Sequence, residues 1–347
     1  MKRVMLEEGV AEADLWEPVE GGSVRCKACA HRCRIAPGKR GICSVRENRD
    51  GKLFSLVYGM AVSANPYDPI EKKPFFHYRP GTRTFSIATV GCNFRCDFCQ
   101  NWEISQAPRE GFGIQGQFLP PERVVSLALQ HGCKTIAYTY TEPLVFIEYA
   151  LDTCKLAHKA GLENLFVTNG FMTPETIDAL TGLLDAANVD LKGWDEDYYR
   201  KVIGGRRDPV LQSLKMMKER GIWVEVTTLL VPGYSDKEGD LRQIARFIRD
   251  ELGPETPWHV SRFYPQYKML NVPPTPPSTL RRAREIGLEE GLYYVYTGNL
   301  PGDEGENTYC YKCGRLLIER YGFSILRYEI KDGKCPHCGA EIHGVGM

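Results

Sequence analysis

The chain has 347 residues, more than one average domain, and 44 basic against 44 acidic side chains, so no net field draws it to nucleic acid or to an anionic membrane surface. Its 13 cysteines, read without a secretory leader or a long apolar span, exclude a disulfide-stapled secreted module and predict a reduced, cytoplasmic protein whose thiols serve metals. Residues 1–20 are acidic and weakly apolar and predict a short helix of no evident chemistry. From Cys26, the run Cys26-x2-Cys29-x3-Cys33 is followed across the turn Pro37-Gly38 by Cys43. So short a segment buries too little apolar surface to hold itself together. The four thiols therefore predict a metal-stapled knob over residues 1–50, filled by zinc or by a second iron–sulfur cluster, with an inert thiol knob as the plainer reading. His31 lies among them and could replace one as a ligand, though it is expected to face solvent. A strand at 53–58 leads into Pro66, Pro69, Pro74 and Pro80, which exclude a helix and predict an extended strap over residues 51–82, with Lys72, Lys73 and His77 on a solvated face.

From residue 84 strands and helices alternate. Candidate strands cover 84–90, 134–139, 163–168, 187–191, 222–230, 258–263 and 293–297; candidate helices cover 121–131, 143–160, 174–184, 208–220, 237–251 and 278–289. Repeats of this length predict parallel βαβ units and an α/β fold, a partial or complete (β/α) barrel over residues 83–300, with its chemistry at the carboxyl ends of the strands. The first of those ends carries Gly91-Cys92-Asn93-Phe94-Arg95-Cys96-Asp97-Phe98-Cys99. Thiolates spaced C-x3-C-x2-C fit three corners of a [4Fe–4S] cube and leave the fourth iron open to a ligand. A partial zinc site and three inert thiols are the plainer readings.

In this stretch the sequence resembles the radical S-adenosylmethionine enzymes. The resemblance implies a barrel of the radical SAM type in which Cys92, Cys96 and Cys99 hold the cluster and S-adenosylmethionine chelates the open iron. It also implies that an electron from the cluster splits the cofactor to methionine and a 5′-deoxyadenosyl radical, and that Phe98 packs against the adenine. Further along, Glu142-Pro143 ends the Gly-Gly-Glu-Pro motif of glycyl-radical-enzyme activases, with Tyr140 and Thr141 in place of the glycines. Thr168-Asn169-Gly170, Asp190-Leu191-Lys192 and Val231-Pro232-Gly233 also resemble that subfamily. By that resemblance Glu142, Thr168, Asn169, Asp190 and Lys192 grip the polar parts of the cofactor, or a cation near its carboxylate, although Val167 replaces the acidic residue that activases carry before the threonine. The plainer readings are a helix-start carboxylate, a turn pair and a surface ion pair. Alternation puts Glu225 and Thr227 on one side of strand 222–230, where an inward carboxylate needs a partner. His259 shares a face with Ser261 and is expected at the ribose or adenine, or else in a structural hydrogen bond.

In the tail, Cys310-x2-Cys313-Gly314 and Cys335-x2-Cys338-Gly339 form two hooks that predict a zinc ribbon over residues 301–347, with a rubredoxin-like iron site as the alternative. The knob, the strap Lys73-Pro74-Phe75-Phe76-His77, the stretch Gly91 to Gln106 and the stretch Trp258 to Met269 together resemble the radical enzyme of the AmmeMemoRadiSam system, a family related to pyruvate formate-lyase activating enzyme. That resemblance implies an electron donor of the flavodoxin or ferredoxin type and hydrogen abstraction from a substrate C–H bond. The substrate is either a glycine in a partner protein or a small molecule, peptide or RNA. A metal-stapled binding or scaffold protein is the non-enzymatic reading.

Overall fold

The computed structural model describes residues 3–347. Its centre is an eight-stranded sheet. Strand β1 (Ser63–Pro69) lies antiparallel at one edge beside β2 (Arg83–Ala88). The order continues through β3 (Thr135–Tyr138), β4 (Glu163–Thr168), β5 (Ala186–Asp190), β6 (Trp223–Leu230), β7 (Trp258–Arg262) and β8 (Val295–Gly298), each parallel to the strand before it. Strands β1 and β8 form the two edges, so the sheet stays open. Helices α1 (Pro121–Gln130), α2 (Ile147–Lys159), α3 (Pro174–Leu180), α4 (Arg207–Glu219), α5 (Glu238–Phe247) and α6 (Pro277–Glu289) supply the six crossovers between the parallel strands. Helices α1, α3 and α6 open with proline, whose fixed φ suits the first turn and whose missing N–H would have had no helical acceptor there. Helix α6 buries Leu280, Ala283, Ile286 and Gly287, a stripe at helical spacing turned to the sheet.

The N-terminus corrects the helix expected over residues 1–20. Met5–Glu7 and Val10–Glu12 form a hairpin instead, and Trp16–Val19 pairs with Ser23–Cys26 in a second small sheet. The physical reason is a turn at Gly9, held at φ +83, and the need to bury Val10 and Ala11 against Lys52–Ser55. Because Lys52–Ser55 also pairs with Arg46–Arg49, the N-terminal sheet runs past residue 50.

The strap also differs from expectation. Residues 63–69 are a true strand despite Pro66 and Pro69, a tolerance that only an edge position gives. Lys73 and His77, expected on a solvated face, are buried. The Lys73 ammonium sits 2.7 Å from Asp68, and the His77 ring lies between the His343 carbonyl (2.6 Å) and the Tyr296 hydroxyl (2.5 Å). The strap thus crosses beneath the sheet, where the backbone N–H groups of Phe76 and His77 donate to Glu225 near the start of β6. The C-terminal strands Thr308–Tyr309, Leu316–Tyr321 and Ser324–Tyr328 cover the same side, and Arg320 stacks over Phe76 at 4.2 Å.

Candidate active site

The carboxyl ends of the seven parallel strands surround a cleft of about 340 Å³. The loop after β2 brings Cys92, Cys96, Phe98 and Cys99; the loop after β3 brings Tyr140 and Glu142; β4 ends in Thr168 and Asn169; β5 leads to Asp190 and Lys192. Thr227 and Leu229 on β6, Ser261 on β7 and Asn299 after β8 complete the wall. Sites built on strand ends inherit the rigidity of the sheet beneath them.

The cysteine loop has almost no regular structure of its own, so other segments fix it. Gly91 turns at φ +98, and a side chain there would come within 2.8 Å of Val45. The N–H groups of Arg95 and Asp97 donate to the carbonyls of Ile203 (2.8 Å) and Val202 (3.1 Å). The Arg109 guanidinium gathers the carbonyls of Cys92 (2.6 Å), Phe94 (2.7 Å) and Ile42 (2.7 Å). Three thiols are thereby held around one space without closing on each other: they do not all lie within 4.8 Å, as the four thiols of the ribbon do. Burial raises the Cys92 thiol well above its ordinary range and pushes Cys96 up to about 12.

Beside the thiols the structure brings together the polar residues expected from sequence. Glu142 is fully buried and accepts hydrogen bonds from the Thr168 hydroxyl (2.7 Å), the Asn169 N–H (2.8 Å) and the Leu144 N–H (3.3 Å). Burial pushes its carboxyl up to about 7 in spite of these donors. Asn169 also donates from its amide to Asn93 (2.7 Å), tying this wall to the cysteine loop. Across the cleft Lys192 pairs with Asp190 at 2.8 Å; burial alone would lower the ammonium, but Asp190 and the nearby Cys96 outweigh it and raise it. Phe98 is buried with its ring near-parallel to that of Tyr198, 6.1 Å away.

His259 stands elsewhere. It is buried on β7 with Nε2 at 2.7 Å from Glu225, which also accepts from the Trp223 indole. Both lie near the amino ends of their strands, on the side covered by the strap, and do not line the cleft. This corrects the expectation that His259 meets a ribose or adenine and leaves the structural hydrogen bond: the buried carboxylate of Glu225 claims it. Burial would raise Glu225, and His259 with the strap's N–H groups holds it below its ordinary range instead.

In the wall of the cleft, sequence reasoning missed a cluster. Tyr140, where activases carry glycine, adopts the left-handed φ of +65 that glycine would take without strain. Its hydroxyl donates to Asp68, and the Lys73 ammonium sits 4.0 Å from its ring centroid, contacts that offset the strain. Lys72 reaches the same Asp68 at 2.9 Å. No local pattern announces this group, because its members come from residues 68–73 and 140.

Both cysteine-rich ends dock on the core. In the ribbon, Sγ separations of 3.6 Å (Cys310 to Cys338) and 3.7 Å (Cys313 to Cys335) place four thiols as one tetrahedral ion needs them. The knob leans on the turn after β4, where the Ala30 N–H donates to the Phe171 carbonyl and the Thr173 hydroxyl to Lys27. His31, expected in solvent, is half-buried against Phe171, with Nε2 at 3.0 Å from the Asn93 carbonyl.

This cleft, rimmed by three unclosed thiols at strand ends, belongs to a recognisable class. Residues 86–248, a little under half of the chain, match the model of the radical SAM superfamily, and the protein is a radical SAM enzyme. It is 48% identical over 333 residues to the uncharacterized protein MJ0808 of Methanocaldococcus jannaschii, covering 95% of this chain and 98% of that one. It is 24% identical over 220 residues to pyruvate formate-lyase 1-activating enzyme of Escherichia coli (strain K12), covering 60% of this chain and 89% of the relative. A radical SAM methyltransferase from Sphaerobacter thermophilus shares the fold, with a TM-score of 0.51 at 17% identity over 66% of this chain and 71% of that one.

Proposed function

We propose that the protein holds a [4Fe–4S] cluster through Cys92, Cys96 and Cys99, binds S-adenosylmethionine in the cleft, and abstracts hydrogen from a C–H bond of a substrate at the mouth. The observation that carries this reading is the convergence on one cleft of three thiols with Glu142, Thr168, Asn169, Asp190 and Lys192. When bound, the cluster supplies one electron that splits the cofactor to methionine and a 5′-deoxyadenosyl radical. The chain orients and shields. Glu142, itself positioned by Thr168 and Asn169, accepts hydrogen bonds from the amino group of the methionyl part. Asp190 and Lys192 meet its polar groups, Phe98 packs on the adenine, and the apolar surround keeps water from the reactive carbon.

Two substrate readings follow. A glycine in a partner protein, as the likeness to an activating enzyme would have it, needs an open mouth for an entering loop. Tyr140 stands where the activase motif has a glycine, and its ring, packed with Lys73 and bonded to Asp68, fills part of the cleft wall; that bulk favours direct modification of a smaller substrate, as in a radical enzyme of the AmmeMemoRadiSam kind. We place the ribbon's four thiolates on zinc, since Zn–S bonds of about 2.3 Å in a tetrahedron put sulfurs about 3.8 Å apart. The electron donor is a cytoplasmic flavodoxin or ferredoxin. Anaerobic reconstitution with a strong reductant tests the core of this: the expected outcome is 5′-deoxyadenosine and methionine, and intact S-adenosylmethionine at full iron loading refutes it. Deuterium carried from a labelled substrate into 5′-deoxyadenosine identifies the substrate.

A further inference from the structure

The knob's cysteines take no part in the function proposed above. Cys26 ends the strand Ser23–Cys26, Cys29 and Cys33 follow on the turn, and Cys43 approaches from beyond Gly41. The four line one small void together with His31, Arg46 and Asn93. Their sulfurs are not gathered as a single ion would gather them, for no three lie within 4.8 Å of one another. The ribbon in the same chain shows the contrast, with its facing pairs at 3.6 and 3.7 Å. A void of about 20 Å³ remains between these residues, whereas four sulfurs closed on one zinc ion, about 3.8 Å apart, leave none.

Two buried donors at this void also lack acceptors. Arg46 spends two nitrogens on Glu148, at 2.7 and 3.0 Å, and its Nε finds no acceptor among the described residues. Neither does Nδ2 of Asn93. An unanswered buried N–H is costly, whereas thiolate and sulfide sulfurs of a cluster accept such bonds.

We propose that Cys26, Cys29, Cys33 and Cys43 hold a second [4Fe–4S] cluster, with all four irons ligated by the chain and none open to a cofactor. Its place is against the catalytic loop: Asn93 walls the void and adjoins Cys92, and His31 contacts the Asn93 carbonyl. The proposal concerns the knob alone and stands or falls separately from cofactor cleavage in the cleft.

The test is metal and sulfide counting on the full chain after anaerobic reconstitution. About eight irons and about eight sulfides per chain, beside the ribbon's metal, are expected; about four irons with zinc in the knob overturns the proposal. A triple variant, Cys92→Ala with Cys96→Ala and Cys99→Ala, is expected to keep about four irons with the Mössbauer signature of a [4Fe–4S] cluster, and loss of all iron overturns it. Adding Cys29→Ala and Cys33→Ala to that variant is expected to abolish the signal while the ribbon keeps its metal, which reports that the rest of the chain is folded. Iron that survives this last change assigns it to other ligands and overturns the proposal.

Discussion

Replacing Glu142 by glutamine separates what the residue does for folding from what it does for the cofactor. The buried carboxyl has its pKa raised from 4.5 to about 7, so the folded state holds a proton that the unfolded chain has released. Stability is therefore lost as pH rises from about 4.5 to about 7, by roughly 3 kcal/mol in all. A neutral amide of the same shape avoids that penalty. It gives back part of the gain, because one of its two ends is a donor and cannot accept from both the Thr168 hydroxyl and the Asn169 N–H, a loss of about 1 kcal/mol. At pH 8, Glu142→Gln is thus expected to be at least as stable as the wild type. Its affinity for S-adenosylmethionine is expected to fall roughly ten- to a hundredfold, the weight of a hydrogen bond to a charged group. Anaerobic calorimetry on the cluster-loaded protein reads the affinity, and a denaturant melt reads the stability. Unchanged affinity would mean that Glu142 does not face the cofactor. A variant destabilised by more than about 1 kcal/mol would mean that its charge stabilises the fold rather than straining it.

The strap and the ribbon make a second pH-sensitive element. Burial lowers His77 to about 4, so the unfolded chain takes up a proton below pH 6.5 that the folded chain refuses until near pH 4. The stability this neutral ring supports is complete above pH 6.5 and lost as pH falls through that window, by roughly 3 kcal/mol. Paired melts of wild type and His77→Gln at pH 7 and pH 5 isolate the effect, and equal slopes refute it. Chelation of the ribbon metal is expected to loosen the strands Leu316–Tyr321 and Ser324–Tyr328 and, through Arg320 over Phe76, the strap; hydrogen exchange confined to residues 301–347 would contradict that coupling. Tyr140→Gly relieves left-handed strain of about 1 kcal/mol but removes the hydroxyl from Asp68 and the ring from Lys73. A net destabilisation of roughly 1 kcal/mol is expected, with unaltered cleavage of S-adenosylmethionine in the absence of substrate; a stabilised variant would show that the ring contacts contribute little.

What was legible in the sequence shares one property: it is local. Three cysteines within eight residues, Glu142-Pro143, Thr168-Asn169 and Asp190-Leu191-Lys192 each sit at the end of a strand that its own β-forming run announces, and the sheet carries them to one cleft. The pieces that escaped depend on partners far along the chain. Lys73 looks like a solvated lysine until Asp68 and Tyr140 enclose it, and His259 looks like a cleft residue until Glu225 and the strap claim it. Over residues 3–20 an acidic composition points to a helix, while the hairpin is chosen by Gly9 and by an edge supplied more than forty residues later.

The cysteine sets show where local spacing stops being informative. Knob and ribbon both begin with C-x2-C, yet the ribbon folds its second hook back so that four sulfurs converge, with Gly314 and Gly339 both turned at φ +71 to allow it. The knob has no second hook: Cys33 and Cys43 come singly, on either side of a strand and a turn, and Val45 wedges the segment against Gly91 of the catalytic loop. On the reading proposed for the knob, the contact of Val45 with Gly91 that steadies the loop of Cys92 also holds Cys43 apart from the other three thiols, at a width that suits a cluster.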